Sequence, residues 1–494
     1  MKFRLFALSV LFFGTLLVPD AALCQIIDDS PTRVQTTLDP GFKLIGTLRP
    51  KNVHQINTSR WTIGCEVLDR EYASYDSYKE YLAPLGIKRI RLQGGWARTE
   101  KEKGLYDFAW LDYIINDAIS RGLEIWLETS YGNPIYPGGG GRSLAGGIPA
   151  SEEGLTAWDN WVRAMAQRYK DKVRDWSMWN EPVMSDPEAV FAFNIRTAEI
   201  IKSVIPNARI GALVLMQADY AHVGPFLERL KKENKFHLFH WIVYHHYTPN
   251  PDEPYPEVEK MKAVIRSYSN DLKLWQGESG VMSEWGPVGA LNKMHWTELT
   301  QAKWDARRML GDLGHDADSG IFTIADYQYR TTPWINGLAR YGLIKADTAD
   351  RGFKILKVKT AWYTVQNIVS VFNDDLQRDT AFNCQVACEK SLAVFGFHFT
   401  ESQSPLFVFW NKSDIPQNDN ATLPATFTVK NESFKDPVWV DTITGNVYKI
   451  PDNAVSSDGN DTTFINVPVY DAPAFITGRD NLDLDFSEFV KANP

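Results

Sequence analysis

The stretch Val173-Arg174-Asp175-Trp176-Ser177-Met178-Trp179-Asn180-Glu181-Pro182 joins a short strand-like run to turn-forming residues. Asparagine favours turns and proline cannot continue an inner strand, so we expect the strand to end near Trp179. A second stretch, Trp275-Gln276-Gly277-Glu278-Ser279-Gly280, has the same character. Each stretch therefore predicts one glutamate, Glu181 or Glu278, at the point where a strand gives way to a loop.

Strand-like runs alternate with helical patterns from about residue 61 to residue 368, which is typical of repeated βα units around a parallel sheet. Eight strands are predicted, at residues 61–67, 87–92, 123–127, 173–179, 209–215, 239–245, 272–276 and 319–325. Eight helices are predicted, at residues 75–85, 110–121, 155–169, 189–204, 224–233, 255–267, 297–313 and 354–371. Eight such units predict a (β/α)8 TIM barrel.

An open doubly wound sheet is the alternative arrangement for such units. It requires a glycine-rich phosphate turn after the first strand, and residues 64–69 do not supply one. The glycines at 138–141 have no strand-to-helix context, so we interpret them as a loop on the open face or a plain connector.

Short β runs with turn residues between them replace the helical pattern after about Val371, which predicts a C-terminal β-sandwich. Its strands are predicted at residues 391–397, 406–410, 425–429, 438–441, 447–450 and 464–467. The chain is thus divided into a signal peptide (1–24), an N-terminal segment (25–55), the barrel (56–371) and the sandwich (372–494). The N-terminal segment contains a strand-like run at 42–47 that would add a strand to the sandwich.

The N-terminus has the pattern of a secretory signal peptide: Lys2 and Arg4, then an apolar run, then small residues. We therefore expect a secreted or periplasmic protein. Lipidation at Cys24 is the alternative, although the leucine usual three places earlier and the small residue usual just before it are missing. After removal of the leader, an oxidising compartment would permit a bridge between Cys384 and Cys388.

The composition excludes several classes of partner. The net charge is −9 among 494 residues, and no long basic run occurs, which argues against nucleic acid or an anionic membrane surface. No later segment has the roughly 18 consecutive apolar residues of a membrane span. Aromatic residues make up 13% of the chain, and their flat faces suit a carbohydrate substrate.

The two glutamates follow the fourth and seventh predicted strands, whose carboxyl ends lie across the mouth of a TIM barrel from each other. A pair of carboxyl groups facing one pocket can cleave a glycosidic bond, with one as acid and base and the other as nucleophile. Ionisation of one raises the pKa of the other, so Glu278 would be the anion and Glu181 would carry the proton.

The motifs resemble those of clan A glycoside hydrolases, particularly families 39 and 5. The likeness spans roughly residues 61–371, through 64–69, Arg89-Ile90-Arg91-Leu92, Gly95-Trp96, His245 to Tyr247 and Tyr341-Gly342-Leu343-Ile344. It implies a retaining enzyme that cleaves β-glycosidic bonds of a poly- or oligosaccharide, with Glu181 as acid/base and Glu278 as nucleophile. The sandwich resembles the accessory domain of several such families.

The resemblance also implies a set of substrate-binding residues. Asn180 would bond the sugar 2-hydroxyl, Arg91 would keep Glu278 ionised, His245 would line the substrate site and Tyr247 would donate to Glu278. A structural ion pair is an equal alternative for Arg91. Many clan members carry a tryptophan at the end of strand eight as a sugar platform, and this chain has none there, so Trp334 is the candidate to reach the same place from its loop. Other candidate platforms on strand-to-helix loops are Trp96, Tyr131, Tyr136, Trp285 and Trp296.

The alternatives to this function are two other catalytic chemistries and one function without catalysis. A metal hydrolase would need converging ligands, but neighbours such as His245 and His246 face opposite sides of a strand, so no metal and no cofactor is expected. A serine nucleophile would need Gly-x-Ser-x-Gly, which Gly277-Glu278-Ser279-Gly280 is not. A non-catalytic carbohydrate-binding protein on a degenerate barrel is the main competitor.

Overall fold

Eight parallel strands close into a barrel in the computed structural model, which describes residues 34–330, 336–348 and 352–486. Strand β1 (Lys43–Leu48) precedes them. The barrel strands are β2 (Trp61–Gly64), β3 (Arg89–Gln93), β4 (Glu124–Thr129), β5 (Asp175–Met178), β6 (Arg209–Leu215), β7 (Trp241–His245), β8 (Lys273–Glu278) and β9 (Ala317–Ile321). All eight predicted strands are present, and the predicted TIM barrel is confirmed. The eighth differs most, because it begins and ends earlier than expected.

Helices surround the barrel. They are α1 (Tyr75–Tyr78), α2 (Leu82–Leu85), α3 (Trp96–Thr99), α4 (Ala109–Ser120), α5 (Glu152–Tyr169), α6 (Pro187–Val204), α7 (Tyr220–Glu233), α8 (Tyr255–Tyr268), α9 (Glu298–Gly314) and α10 (Thr360–Val371). Short 3₁₀ turns occur at Val53–Gln55, Leu68–Arg70, Lys79–Tyr81, Phe236–Leu238, Asp452–Ala454 and Arg479–Asn481.

The predictions for two helices were partly wrong. The helix expected at 75–85 is broken into α1, a 3₁₀ turn and α2, because Pro84 has no N–H for a continuous ladder. The helix expected from residue 354 begins only at Thr360. Its first residues form strand β13 (Ile355–Val358), which pairs with β12 (Ile344–Ala346). A second small hairpin joins β10 (Tyr327–Arg330) to β11 (Asn336–Ala339).

Large side chains fill the barrel below its open face. Trp126 and Trp275 have ring centroids 4.0 Å apart, and Trp241 packs against Trp275. The Arg89 guanidinium lies over Trp275 and pairs with Asp175 at 2.9 Å. These side chains fill the interior of the barrel. The polar side chains at the carboxyl ends of the strands therefore lie on a layer of packed tryptophan rings.

The C-terminal region forms two antiparallel sheets, and the predicted β-sandwich is confirmed. Its strands are β14 (Leu376–Asp379), β15 (Cys384–Ala387), β16 (Leu392–Phe399), β17 (Pro405–Asn411), β18 (Leu423–Val429), β19 (Pro437–Asp441), β20 (Asn446–Lys449), β21 (Val455–Asp458), β22 (Asp461–Val469), β23 (Ala474–Gly478) and β24 (Leu484–Asp485). The larger sheet has the order β14-β16-β17-β23-β19-β20-β1-β24 and the smaller one β15-β18-β22-β21. Phe407 and Phe409 of the larger sheet pack on Phe427 of the smaller one.

Strand β1 lies in the larger sheet between β20 and β24, so the chain enters through the sandwich before it builds the barrel. Helix α9 joins the two parts through buried charges: Lys303 pairs with Asp471 at 2.5 Å, and Arg307 donates to the carbonyl of Asp414 at 2.8 Å. The limits of the four predicted segments remain a prediction, and the signal peptide with Cys24 lies outside the described residues.

Two smaller findings complete the fold. Cys65, Cys384 and Cys388 are all free thiols, so the bridge considered between the last two is not formed in this structure. Within the described ranges, none of the helices has both the length and the apolar character needed to cross a membrane.

Candidate active site

Glu181 and Glu278 meet at the carboxyl ends of the barrel strands. Glu278 is the last residue of β8, and Glu181 follows β5 by three residues. One carboxylate oxygen of each lies within 4.8 Å of the other. Both side chains are largely buried and line the same cavity, which has a volume of about 760 Å³. The barrel mouth therefore brings the two predicted glutamates together in one opening.

The backbone around Glu181 is held in an unusual conformation. Trp179 and Glu181 have φ angles of 58° and 46°, in the left-handed region that residues other than glycine seldom adopt. Two hydrogen bonds secure it: Trp179 N–H donates to the carbonyl of Thr129 at 2.9 Å, and Glu181 N–H donates to that of Val214 at 3.1 Å. The neighbouring strands thus fix the direction in which the Glu181 side chain points.

Arg91 lies fully buried beneath the pair and binds three carboxylates. Its Nη1 donates to Glu278 Oε2 at 2.6 Å and to Glu66 Oε1 at 2.9 Å, while Nη2 donates to Glu128 Oε2 at 2.7 Å. Nη2 also donates to Asn180 Oδ1 at 2.5 Å. One guanidinium cannot neutralise three carboxylates, so their environments must differ.

The pKa values of Glu66 and Glu278 are moved in opposite directions. Burial, the largest cause, raises the pKa of Glu66 to about 8, and the negative charge of Glu278 adds to this against the opposing Arg91. Burial alone would also raise the pKa of Glu278. The attractions of His245 and Arg91 and the hydrogen bonds from Tyr247 and Arg91 outweigh it, and they hold the Glu278 pKa below its usual range. At neutral pH Glu66 is therefore a protonated acid and Glu278 an anion.

His245 occupies a different place from the one expected. Its side chain is fully buried, with Nδ1 2.7 Å from Glu181 Oε1 and 3.8 Å from Glu278 Oε2, so it supports the carboxylates and does not line the cavity. His246, expected on the opposite side of the strand from His245, lines the cavity together with Tyr247. Strand β7 ends at His245, so His246 lies beyond its regular alternation, and Glu181 lies between the His245 ring and the cavity.

Tyr247 and Asn180 lie where the sequence predicted, beside the pair. The Tyr247 hydroxyl donates to Glu278 Oε1 at 2.8 Å. Asn180 accepts from Arg91 and donates through Nδ2 to the Tyr131 hydroxyl at 2.9 Å, and its side chain reaches the cavity. Both therefore present polar atoms next to the carboxylates.

The sequence analysis did not identify two other polar residues that lie in the cavity wall. Gln93 donates to Glu128 at 3.1 Å and accepts from Arg70, and both Gln93 and Arg70 line the cavity. Because Gln93 follows Arg91 by two residues on the same strand, the period-two rule would have placed it on the same face. Glu66, within the first predicted strand run (61–67), is buried beside them.

The aromatic platforms also differ from expectation. Trp96 is fully buried between Tyr136 and Trp161, with ring centroids 5.7 and 5.8 Å away, so no sugar can reach it. Trp334 lies outside the described residues, and neither Trp285 nor Trp296 is among the residues that line the cavity. The rings that do line it are those of Tyr131, Tyr247, Phe322, Tyr329 and Tyr341. Phe322, just after β9, occupies the position where the missing tryptophan was sought.

In the part of the chain that the structure describes, two groups place three possible metal ligands within 4.8 Å. One is the pair with His245, whose atoms are already engaged in the hydrogen bonds above. The other, in the sandwich, has His398 with Nε2 2.8 Å from Glu432 and Nδ1 3.8 Å from Asp379. The two ring nitrogens diverge, so this group has the geometry of a hydrogen-bonded chain and not of a shared ion.

Comparison with known proteins agrees with this architecture. No family model matches the sequence. The chain has the fold of clan A glycoside hydrolases, as the motifs predicted, and it is similar to family 39 structures. A family 39 glycoside hydrolase from Bacteroides cellulosilyticus WH2 aligns with a TM-score of 0.59 at 17% identity, over 85% of this chain and 81% of that one.

Two further structures have the same fold. A monomeric β-xylosidase from Caulobacter crescentus CB15 aligns with a TM-score of 0.54 at 15% identity, over 88% of this chain and 97% of that one. A family 30 endoxylanase from Clostridium papyrosolvens C71 aligns with a TM-score of 0.53 at 14% identity, over 88% and 99%. At these identities the likeness concerns the fold.

Proposed function

We propose that this protein is a secreted or periplasmic retaining glycoside hydrolase that cleaves β-glycosidic bonds with Glu278 as nucleophile and Glu181 as acid/base. The observation that carries the proposal is the approach of the two carboxylates to within 4.8 Å in one cavity. Retaining glycosidases have carboxyl groups about 5–5.5 Å apart, whereas inverting enzymes need about 6.5–9.5 Å to admit a water molecule.

The electrostatics support this division of roles. Glu278, with its lowered pKa, is the anion that attacks the anomeric carbon, and Glu181 protonates the departing oxygen. Glu181, which has given its proton to the leaving group, then acts as the base that activates the water that cleaves the glycosyl ester of Glu278. The single pair thus serves both half-reactions.

The neighbouring residues have supporting roles in this mechanism. Arg91 and Tyr247 stabilise the anionic form of Glu278 through their hydrogen bonds of 2.6 and 2.8 Å. His245 orients Glu181 from below. Asn180 is fixed by Arg91 and Tyr131 and presents its amide toward the sugar 2-hydroxyl, a contact that strengthens in the transition state.

A non-catalytic carbohydrate-binding protein is the competing function. The burial of Glu278 and Glu66 argues against it, because two desolvated carboxyl groups are costly and a protein that only binds sugar gains nothing from them. The xylosidase and xylanase among the similar structures make xylosides the first sugars to test.

Hydrolysis of 4-nitrophenyl β-xyloside, β-glucoside and β-galactoside by the secreted protein tests the proposal. We expect Glu278→Ala to lose roughly 10⁴-fold or more in kcat and the exposed Glu80→Gln control to lose nothing. Glu181→Gln should lower kcat/KM by about 10²–10⁴-fold with an alkyl glycoside and much less with a 4-nitrophenyl glycoside, because 4-nitrophenolate departs without a proton, while kcat falls with both because the ester has lost its base. Proton NMR should show the β-anomer as the first product. Equal rates for wild type and Glu278→Ala, or an inverted product, would refute the assignment.

A further inference from the structure

The mouth of the cavity carries a group of exposed apolar side chains beside Glu181. Val183 and Met184, in the loop after Glu181, are 50% and 63% exposed, and Met216, after β6, is 48% exposed. Leu144, on the glycine-rich loop, is 39% exposed. We call these four residues the apolar rim. All four line the same cavity as the two glutamates.

Neighbouring loops hold the rim together. Ile148 N–H donates to Ser185 Oγ at 3.1 Å, which joins the loop that carries Leu144 to the loop that carries Val183 and Met184. Contact of large apolar side chains with water costs free energy. In an enzyme cleft, the ligand usually covers such side chains.

A second cavity continues the rim away from the glutamates. Its volume is about 390 Å³, and Val183, Met216 and Gln217 belong to the walls of both cavities. Most of its other walls are apolar and polar groups are few. The apolar walls are Pro182, Pro187, Val190, Phe191, Leu213 and Leu215, and the polar ones are Ser185, Asp219 and His222. An apolar path therefore leads outward from Glu181.

The stereochemistry of the proposed reaction indicates which part of the substrate contacts the apolar path, namely the leaving group. The acid/base protonates the glycosidic oxygen, so the leaving group departs on the side of Glu181, while the nucleophile attacks from the opposite face. The sugar that is attacked then lies toward the polar wall of Arg70, Gln93 and Glu66. Whatever leaves must pass the apolar rim.

We propose, on the basis of the glycosidase activity proposed above, that the leaving group is an apolar alkyl or aryl alcohol that binds on the rim and in the second cavity. This replaces the poly- or oligosaccharide expected from the sequence. A sugar in this position would place hydroxyl groups against methionine, valine and leucine side chains and leave them without hydrogen-bond partners. An apolar group instead gains from burial against the same surface.

A series of methyl, butyl and octyl β-glycosides tests the inference, made with xylose or glucose, whichever the protein hydrolyses. These alcohols leave with nearly equal chemical ease, so differences in kcat/KM report contacts with the leaving group. We expect kcat/KM to rise at least about ten-fold from methyl to octyl, below the micelle concentration. The matching disaccharide and trisaccharide should react no better than the methyl glycoside.

Substitutions locate the effect on the surface. Met216→Gln keeps the side-chain length and Val183→Thr keeps the shape, and each should lower kcat/KM for the octyl glycoside several-fold more than kcat/KM for the methyl glycoside. Val386→Thr, an exposed valine in the sandwich, is the matched control and should leave the whole series unchanged.

Three outcomes would overturn the inference. Equal kcat/KM along the alkyl series, or a preference for the oligosaccharides, would refute the apolar leaving group while the glycosidase function stands. An octyl advantage that survives both rim substitutions would refute this location. Failure to hydrolyse any glycoside would refute the proposed function and, with it, the inference.

Discussion

Glu66→Gln tests the electrostatics of the buried carboxylate cluster directly. The folded-state pKa of Glu66 is raised from 4.5 to about 8, by burial first and by Glu278 second. The folded protein therefore keeps a proton that the unfolded chain releases, and stability falls as the pH rises from about 4.5 to about 8. Between pH 5 and pH 8, Glu66 lowers the free energy of unfolding by about 1.36 kcal/mol per pH unit, or roughly 4 kcal/mol at most.

Glutamine cannot ionise, and its Oε1 can still accept the 2.9 Å hydrogen bond from Arg91. Urea unfolding is followed by tryptophan fluorescence at pH 5 and pH 8. The free energy of unfolding of the variant, relative to that of wild type, should rise by up to about 4 kcal/mol between the two pH values. All other titrating groups are shared, so the difference between the two proteins isolates Glu66. The infrared difference spectrum between wild type and the variant at pH 6.5 should contain one carbonyl band of a protonated carboxyl group that the substitution removes. Parallel pH dependences and no such band would refute the reasoning.

Three further substitutions test the neighbouring packing and hydrogen bonds. Tyr247→Phe removes a hydrogen bond to Glu278 and raises the pKa of that carboxyl group, so the acidic limb of kcat/KM against pH should move up by roughly one unit; an unmoved limb would contradict this. Lys359→Met leaves Asp326 buried without its 2.7 Å partner and should lower the free energy of unfolding by about 3–5 kcal/mol, partly restored by a second substitution, Asp326→Asn. Gly277→Ala would place a methyl group 2.7 and 2.8 Å from valine and tryptophan side chains, so we expect a loss of about 1–3 kcal/mol and a lower kcat, and unchanged kinetics would count against it.

The barrel could be predicted from the sequence because its signals are local. Each strand is a short apolar run bounded by turn residues, and the spacing of the runs leaves room for a helix. Glu181 and Glu278 follow from the same signals, since a strand end and a turn-forming neighbour are visible in a few residues. The start of helix α10 was predicted too early because residues 355–358 pair with strand β12 at residues 344–346, a contact that helical periodicity does not record.

The second layer of the site could not be predicted, because it depends on distant contacts. Glu66 is folded inward only because Gly64 has no side chain: a Cβ there would lie 2.2 Å from Glu66 Oε2. Trp96 has the same spacing from its strand as a surface platform would have, and its burial is decided by α5, more than 50 residues later. His245 is covered by Glu181 and His246 reaches the cavity just beyond the end of β7, an arrangement that only the assembled barrel reveals.

The place of strand β1 in the larger sheet has a consequence for biosynthesis. Its neighbour β20 follows about 400 residues later, because Thr47 pairs with Asn446. At about 5–20 residues per second, a ribosome needs tens of seconds to deliver that partner. During this interval the nascent chain exposes an unpaired strand edge while the whole barrel is still being translated. The first ordered strand of the protein must therefore be among the last to find its place.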